Sequence, residues 1–211
     1  MPNHTLAHDL VATLPHGRAG LFNPWRDRCD GDTPVNTPEA KLERLAEHLG
    51  CNPRFILVGE APGYAGCRHS GVAFTSERLI MEGAVPRITR ATQRLTHRNL
   101  PFSEQSATIV WKALKHFGIE EETVLWNALQ LHPFKADNDH SNRTPTAAEL
   151  ALGAPAMKLL TEAFPRAKVI AVGRNAEALL RTMGVSPASA VRHPANGGAT
   201  QFAQGIGALA A

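Results

Sequence analysis

Four short apolar runs mark the chain. Phe55-Ile56-Leu57-Val58, Thr123 to Asn127 (TVLWN), Lys168 to Val172 (KVIAV) and Ser189 to Arg192 stand apart from segments of helical periodicity. Continuous rather than alternating apolarity is the mark of strands covered on both faces. Between them lie amphipathic stretches. A short helix is expected from Thr5 to Leu14. A firmer one starts at Thr37 with Pro38 in its first turn and shows an apolar stripe of Leu42, Leu45, Ala46 and Leu49. A short helix capped by Thr75 or Ser76, a longer one opened by Ser103 and closed by Gly118, and one with a Thr146/Glu149 capping box running to Phe164 follow. Helices from about Asn175 to Met183 and from near Ala199 complete the series. Strands alternating with helices predict an α/β class: a single domain of three αβα layers around a central, mainly parallel sheet. Residues 37–211 form that domain, and residues 1–36 are expected to pack on it as an N-terminal extension, through Phe22, Pro24 and Trp25.

In an open parallel sheet, ligands bind beyond the carboxyl ends of the strands. Three of the four runs end in a chemically useful residue: Gly59-Glu60, Asn127, and Arg192-His193; Gly173-Arg174 ends the other. The longest functional loop, Phe55 to Phe74 (FILVGEAPGYAGCRHSGVAF), combines Pro62 with glycines at 59, 63, 66 and 71 and carries Glu60, Tyr64, Arg68, His69 and Phe74. Its glycines lack the GxGxxG spacing of a dinucleotide fingerprint, and no Lys-Ser/Thr of a phosphate loop follows.

Composition narrows the class further. The 211 residues are 43% hydrophobic and 19% charged, which fits a soluble globular protein. The net charge of +3 with ten histidines, and a pI near 9.0, permit an anionic partner without requiring one. Cys29, Cys51 and Cys67 contain no CxxC pair, so neither a zinc ribbon nor a four-cysteine cluster can be assembled, and a reducing cytoplasm is expected. No apolar stretch has the length of a membrane span, and the N-terminus does not have the form of a signal peptide.

Taken together and in order, GEAPG (Gly59 to Gly63), Phe74 in GVAF, Asn127 at a strand end and His193 in HPANGG resemble the uracil-DNA glycosylase superfamily. VIAVGRNAEALL resembles the strand and helix preceding that family's second motif, and the resemblance covers roughly residues 54–205. It implies a four-stranded sheet and a monofunctional glycosylase that removes uracil from DNA by base flipping and initiates base excision repair. It also implies uracil-containing DNA as partner, no cofactor, metal or obligate protein partner, and a bacterial-type cytoplasmic, nucleoid-associated setting. The four cysteines that hold an iron–sulfur cluster in the GEAPG branch are not matched here.

By the same resemblance the flipped base is held by Gly59, Ala61, Pro62, Gly63, Tyr64, Phe74, Asn127 and His193, with Glu60 and His193 catalytic. DNA contacts fall to Arg68, His69, Ser70, Arg174, Arg192, Ala195, Asn196 and Gly197, and the basic stretch 87–98 is a second phosphate-facing candidate. Physically, Phe74 stacks on the base, and the Asn127 amide matches uracil N3–H and O4 but mismatches cytosine. His193 donates to O2, where negative charge grows. Ala61 stands where the best-known branch has its catalytic Asp, so the water activator is Glu60, His69 or Ser70. Gly63 stands where that branch has a thymine-blocking tyrosine, which leaves hypoxanthine and other deaminated bases as alternative substrates. A catalytically silent base-binding protein is the remaining reading.

Overall fold

The computed structural model describes all 211 residues. In chain order the elements are α1 (His4–Ala12), β1 (Leu21–Phe22), α2 (Pro38–His48), β2 (Phe55–Gly59), α3 (Cys67–Ser70), α4 (Glu77–Met81) and α5 (Gln105–His116). Then follow β3 (Thr123–Asn127), β4 (His132–Pro133), α6 (Ala147–Leu150), α7 (Ala154–Ala163), β5 (Lys168–Val172), α8 (Arg174–Thr182), β6 (Ser189–Val191) and α9 (Ala199–Ala210).

Four strands form one parallel sheet in the order β3-β2-β5-β6. Period-two alternation sends the two faces of each strand into two separate cores. Ile56, Val58, Val124, Trp126, Val169 and Ala171 pack with α1, α2, α7 and α8. Phe55, Leu57, Leu125, Ile170 and Val172 pack with α4, α5 and α9. The expected three-layer α/β architecture is thus observed, and all four expected strands are present within a residue. The register pairs Gly59 with Asn127, which brings the ends of the two central motifs side by side.

Local chemistry explains most helix boundaries. Thr37 accepts from the Ala40 N–H with Pro38 in the first turn of α2, and the Thr146/Glu149 capping box starts α6. The helix expected to run on to Phe164 is interrupted by a 3₁₀ turn at Ala151–Gly153, and α7 begins anew with a proline in its first turn. Proline has no N–H to continue an α ladder. Two features escape sequence reading altogether. They are the antiparallel pair β1–β4, two residues per strand, and the single turn of α3.

Residues 1–36 contribute Leu6, Leu10, Leu14, Leu21 and Trp25 to the first core. Trp25 stacks on Trp126 with centroids 6.1 Å apart, and its Nε1–H donates to the Gly71 carbonyl at 3.0 Å.

Candidate active site at the carboxyl edge of the sheet

The loops after β2, β3, β5 and β6 enclose a cavity of about 880 Å³. Its lining includes Glu60, Ala61, Pro62, Gly63, Phe74, Asn127, Arg174, Arg192, His193, Ala195 and Asn196. Residues dispersed over 137 positions of sequence meet here because the parallel strands all deliver their carboxyl ends to one edge.

Phe74 and Asn127 converge on Gly59. A Cβ at position 59 would lie 2.6 Å from Phe74 Cζ and 2.9 Å from Asn127 Oδ1, so only glycine lets the ring and the amide close over the end of β2. Phe74 adopts φ 49°, an uncommon conformation for an aromatic residue, and is nearly buried. Asn127 is 5% exposed. Its backbone carbonyl, rather than its side chain, receives Gln130 Nε2–H at 2.7 Å, leaving the amide turned to the cavity.

The His193 ring lies 6.3 Å from that of Phe74, at 44°. The Ala195 N–H donates to His193 Nδ1 at 3.1 Å. An imidazole that accepts at Nδ1 carries its proton on Nε2 when neutral, so the ring offers a donor from its other side. Burial, with help from the Arg192 charge and against the opposing influence of Glu60, holds its pKa below the ordinary value and so favours the neutral form. Glu60 is half-buried, and Asn175 Nδ2–H donates to its Oε2 at 2.9 Å, fixing the carboxylate at the mouth. Arg174 and Arg192 are exposed beside it. Asn196 and Gly197 follow with φ 53° and 75°, two successive left-handed residues that turn the loop sharply outward; Gly197 is exposed rather than in the lining.

Four residues assigned to the site from sequence lie elsewhere. Arg68, His69 and Ser70 are buried in α3, where no phosphate could reach them, so they are not surface DNA contacts. Arg68 Nη1–H donates to His132 Nδ1 at 3.0 Å, His69 Nδ1 pairs with Asp32 at 2.6 Å, and Ser70 Oγ–H donates to the Val72 carbonyl. His69 and Ser70 are outside the cavity lining, which removes them as water activators there. Tyr64 is outside it as well; its ring is held by His140, Phe102 and His69, with centroids at 4.8, 5.2 and 5.4 Å. Of the basic 87–98 stretch, Arg87 and Arg94 are also committed internally, whereas Arg90, His97 and Arg98 are exposed. Arg87 donates to the carbonyls of His48, Glu120, Glu121 and Thr123, at the opposite end of β3, and Arg94 pairs with Glu77.

One trio has the residue types of a metal site. Cys29, Asp32 and His69 bring ligand atoms within 4.8 Å of one another. Both Asp32 oxygens are already taken, by Lys41 Nζ at 2.5 Å and by His69, with Asn36 Nδ2 at 2.9 Å. Arg68 donates toward Cys29 Sγ, and Arg44 lies just behind, bonded to Asn36. A cation would have to displace Lys41 within a cationic surround, so the trio fits a buried ion-pair network that ties α3 to α2. Polar residues of the cavity that sequence reading missed include Glu104, Ser106, Asn142, Arg143 and Asn175. Asn175 alone had a signal, since it follows a strand end by three residues.

The model of the uracil DNA glycosylase superfamily matches residues 47–206, so the chain belongs to that superfamily. Membership implies a DNA N-glycosylase acting on damaged DNA. Among solved structures, the wild-type SMUG2 of Pedobacter heparinus is similar in fold, with a TM-score of 0.65 at 15% identity over 98% of this chain and 94% of that one. No curated protein matches the chain in sequence. No helix is long and apolar enough to cross a membrane.

Proposed function

We propose that the protein hydrolyses the N-glycosidic bond of uracil in DNA. The observation that carries this reading is that Phe74 and Asn127 close over Gly59 at one sheet edge, with the His193 ring 6.3 Å from that of Phe74 in the same cavity. A base in a duplex is extruded at a cost of about a few kcal/mol, which stacking on Phe74, worth roughly 1–3 kcal/mol, offsets. The Asn127 amide accepts from N3–H and donates to O4; cytosine would leave both groups mispaired.

As the N1–C1′ bond breaks, its electron pair moves into the uracil ring and positive charge is left on the sugar. His193 Nε2–H donates to O2, where the negative charge collects, and one such donor is worth about 2.7–4 kcal/mol. Glu60 faces the sugar, stabilises its positive charge and takes the proton of the water that attacks C1′. The products are free uracil and an abasic site. Arg174, Arg192 and the Ala195-Asn196-Gly197 turn lie against the flanking phosphates, where they add affinity without reading sequence.

Labelled oligonucleotides containing uracil or hypoxanthine, opposite each base and single-stranded, test the proposal after alkaline cleavage of abasic product. Uracil is the expected substrate; preferential release of hypoxanthine would replace it, and absence of abasic product from every substrate would refute a glycosylase. With uracil, Asn127→Ala and His193→Ala are each expected to lose at least about tenfold in rate, the effect of about 1.4 kcal/mol.

A further inference from the structure

Three carboxyls line the cavity: Asn175 holds that of Glu60 and Arg181 pairs with that of Glu177, whereas that of Glu104 meets neither an amide nor a cation. Glu104 stands immediately before α5, yet its carboxyl makes no capping bond to that helix, where the dipole would favour it. The carboxyl reaches into the cavity instead. Its one hydrogen bond is from Ser106 Oγ–H to Oε1, at 2.7 Å. Removal from water raises its pKa above the ordinary carboxylate value, only partly opposed by Ser106.

The carboxyl sits where it does because residue 66 is glycine, and it lies beside Gly63. Oε2 lies 1.8 Å from where a Cβ on Gly66 would stand, and Oε1 lies 3.6 Å from the corresponding point on Gly63. Glu104 therefore fills the volume that a side chain at 66 would occupy, lies within ordinary contact distance of position 63, and forms the wall of the cavity there. The remaining edges of a bound pyrimidine are accounted for by the proposed reading: His193 takes O2, and Asn127 takes N3–H and O4. The edge left over is C5–C6, and the wall left over is the Gly63–Gly66 segment with Glu104 against it.

We infer that Glu104 is a specificity-determining residue, whose carboxyl closes the C5 edge of the base pocket and excludes the 5-methyl group of thymine. This rests on the uracil-pocket reading above. It gives the site a discriminating group supplied from outside the loop that wraps the base. One methyl group in a fitted pocket is worth about 10–200-fold in discrimination.

The test is titration of free uracil and free thymine, followed by ligand-observed NMR, against the wild type and the variants Glu104→Ala, Glu104→Asp and Glu104→Gln, each checked by thermal unfolding. The wild type is expected to prefer uracil. Alanine should narrow the preference by at least about tenfold, the lower end of the methyl effect. Aspartate, which withdraws the carboxyl by one methylene, should narrow it less and carries the test if alanine fails to fold. Glutamine, equal in shape, should keep the wild-type ratio. Folded alanine or aspartate variants with the wild-type preference would overturn the assignment of Glu104 alone. A wild type that binds neither base would overturn the pocket reading and this inference with it.

Discussion

Substituting Gly59 by alanine isolates the geometry on which the base pocket depends. The added Cβ would lie 2.6 Å from Phe74 Cζ, 2.9 Å from Cε2 and 2.9 Å from Asn127 Oδ1. Comfortable contacts between carbons are about 3.5–4.0 Å, so the ring must withdraw by about 1 Å. Phe74 is 8% exposed and already at positive φ, which leaves little room for that movement. Overpacking of this kind costs about 1–3 kcal/mol, or roughly 2–12 °C in Tm for a chain of this size. The effect on chemistry should be larger in proportion, since a displacement of about 1 Å in a positioning group can cost about 10²-fold. Single-turnover excision from uracil-containing DNA, beside thermal unfolding, measures both. Gly31→Ala is the control, because a Cβ there meets Cys29 and His69 only at an ordinary 3.7 Å. A folded Gly59→Ala protein that excises at the wild-type rate would refute Phe74 and Asn127 as the base platform. Equal losses in both variants would mean general destabilisation instead.

The acid behaviour should be set in part by two histidines. Burial, aided by Arg87 for His48 and by Arg68 for His132, lowers their pKa values to about 3 and about 4. The unfolded chain takes up these protons near pH 6.5 while the fold refuses them, so stability falls as pH drops from about 6.5 toward 4, by about 1.4 kcal/mol per pH unit for each group once well below 6.5. Urea unfolding across that range should show a shallower slope, by about one proton, in His48→Gln, which keeps an acceptor for the Leu125 N–H now bonded at 2.8 Å. Glu77 is fully buried and accepts from Arg94, from the N–H groups of Leu95, Thr96 and Phe102, and from the Thr96 hydroxyl. Glu77→Ala should therefore cost about 3–5 kcal/mol in denaturant unfolding and free the 94–102 loop to proteolysis. Arg174→Gln and Arg192→Gln should each lower the slope of log affinity against log salt by about one, measured with uracil-free duplex, if each neutralises one phosphate.

The sheet and the pocket floor were legible because strands buried on both faces leave unbroken apolar runs, and because Gly59, Asn127 and His193 follow such runs directly. Arg68, His69 and Ser70 were misplaced for an equally physical reason. A charged, glycine-rich loop reads as surface until its partners are known, and those partners, Asp32 and His132, lie far away in sequence. Arg87 and Arg94 of the basic 87–98 stretch misled in the same way, since Arg87 is satisfied by the carbonyls of residues 48, 120, 121 and 123 and Arg94 by Glu77. Glu104 gave no signal, because an acidic residue just before a helix is what the helix dipole alone would favour. Its orientation into the cavity depends on the emptiness at Gly66, which only the folded loop reveals.

The β1–β4 pair and the Trp25–Trp126 stack have a consequence in time rather than space. Leu21 pairs with Pro133, and Trp25 stacks on Trp126, so the N-terminal segment is made long before its partners exist. At about 5–20 residues per second, a ribosome needs roughly 5–20 s to synthesise the intervening hundred or so residues. Throughout that interval Phe22 and Trp25 lack their final apolar cover, and the nascent chain is at its most adhesive. Slowing translation ahead of residue 126 would lengthen that exposure, while leaving every contact of the finished molecule unchanged.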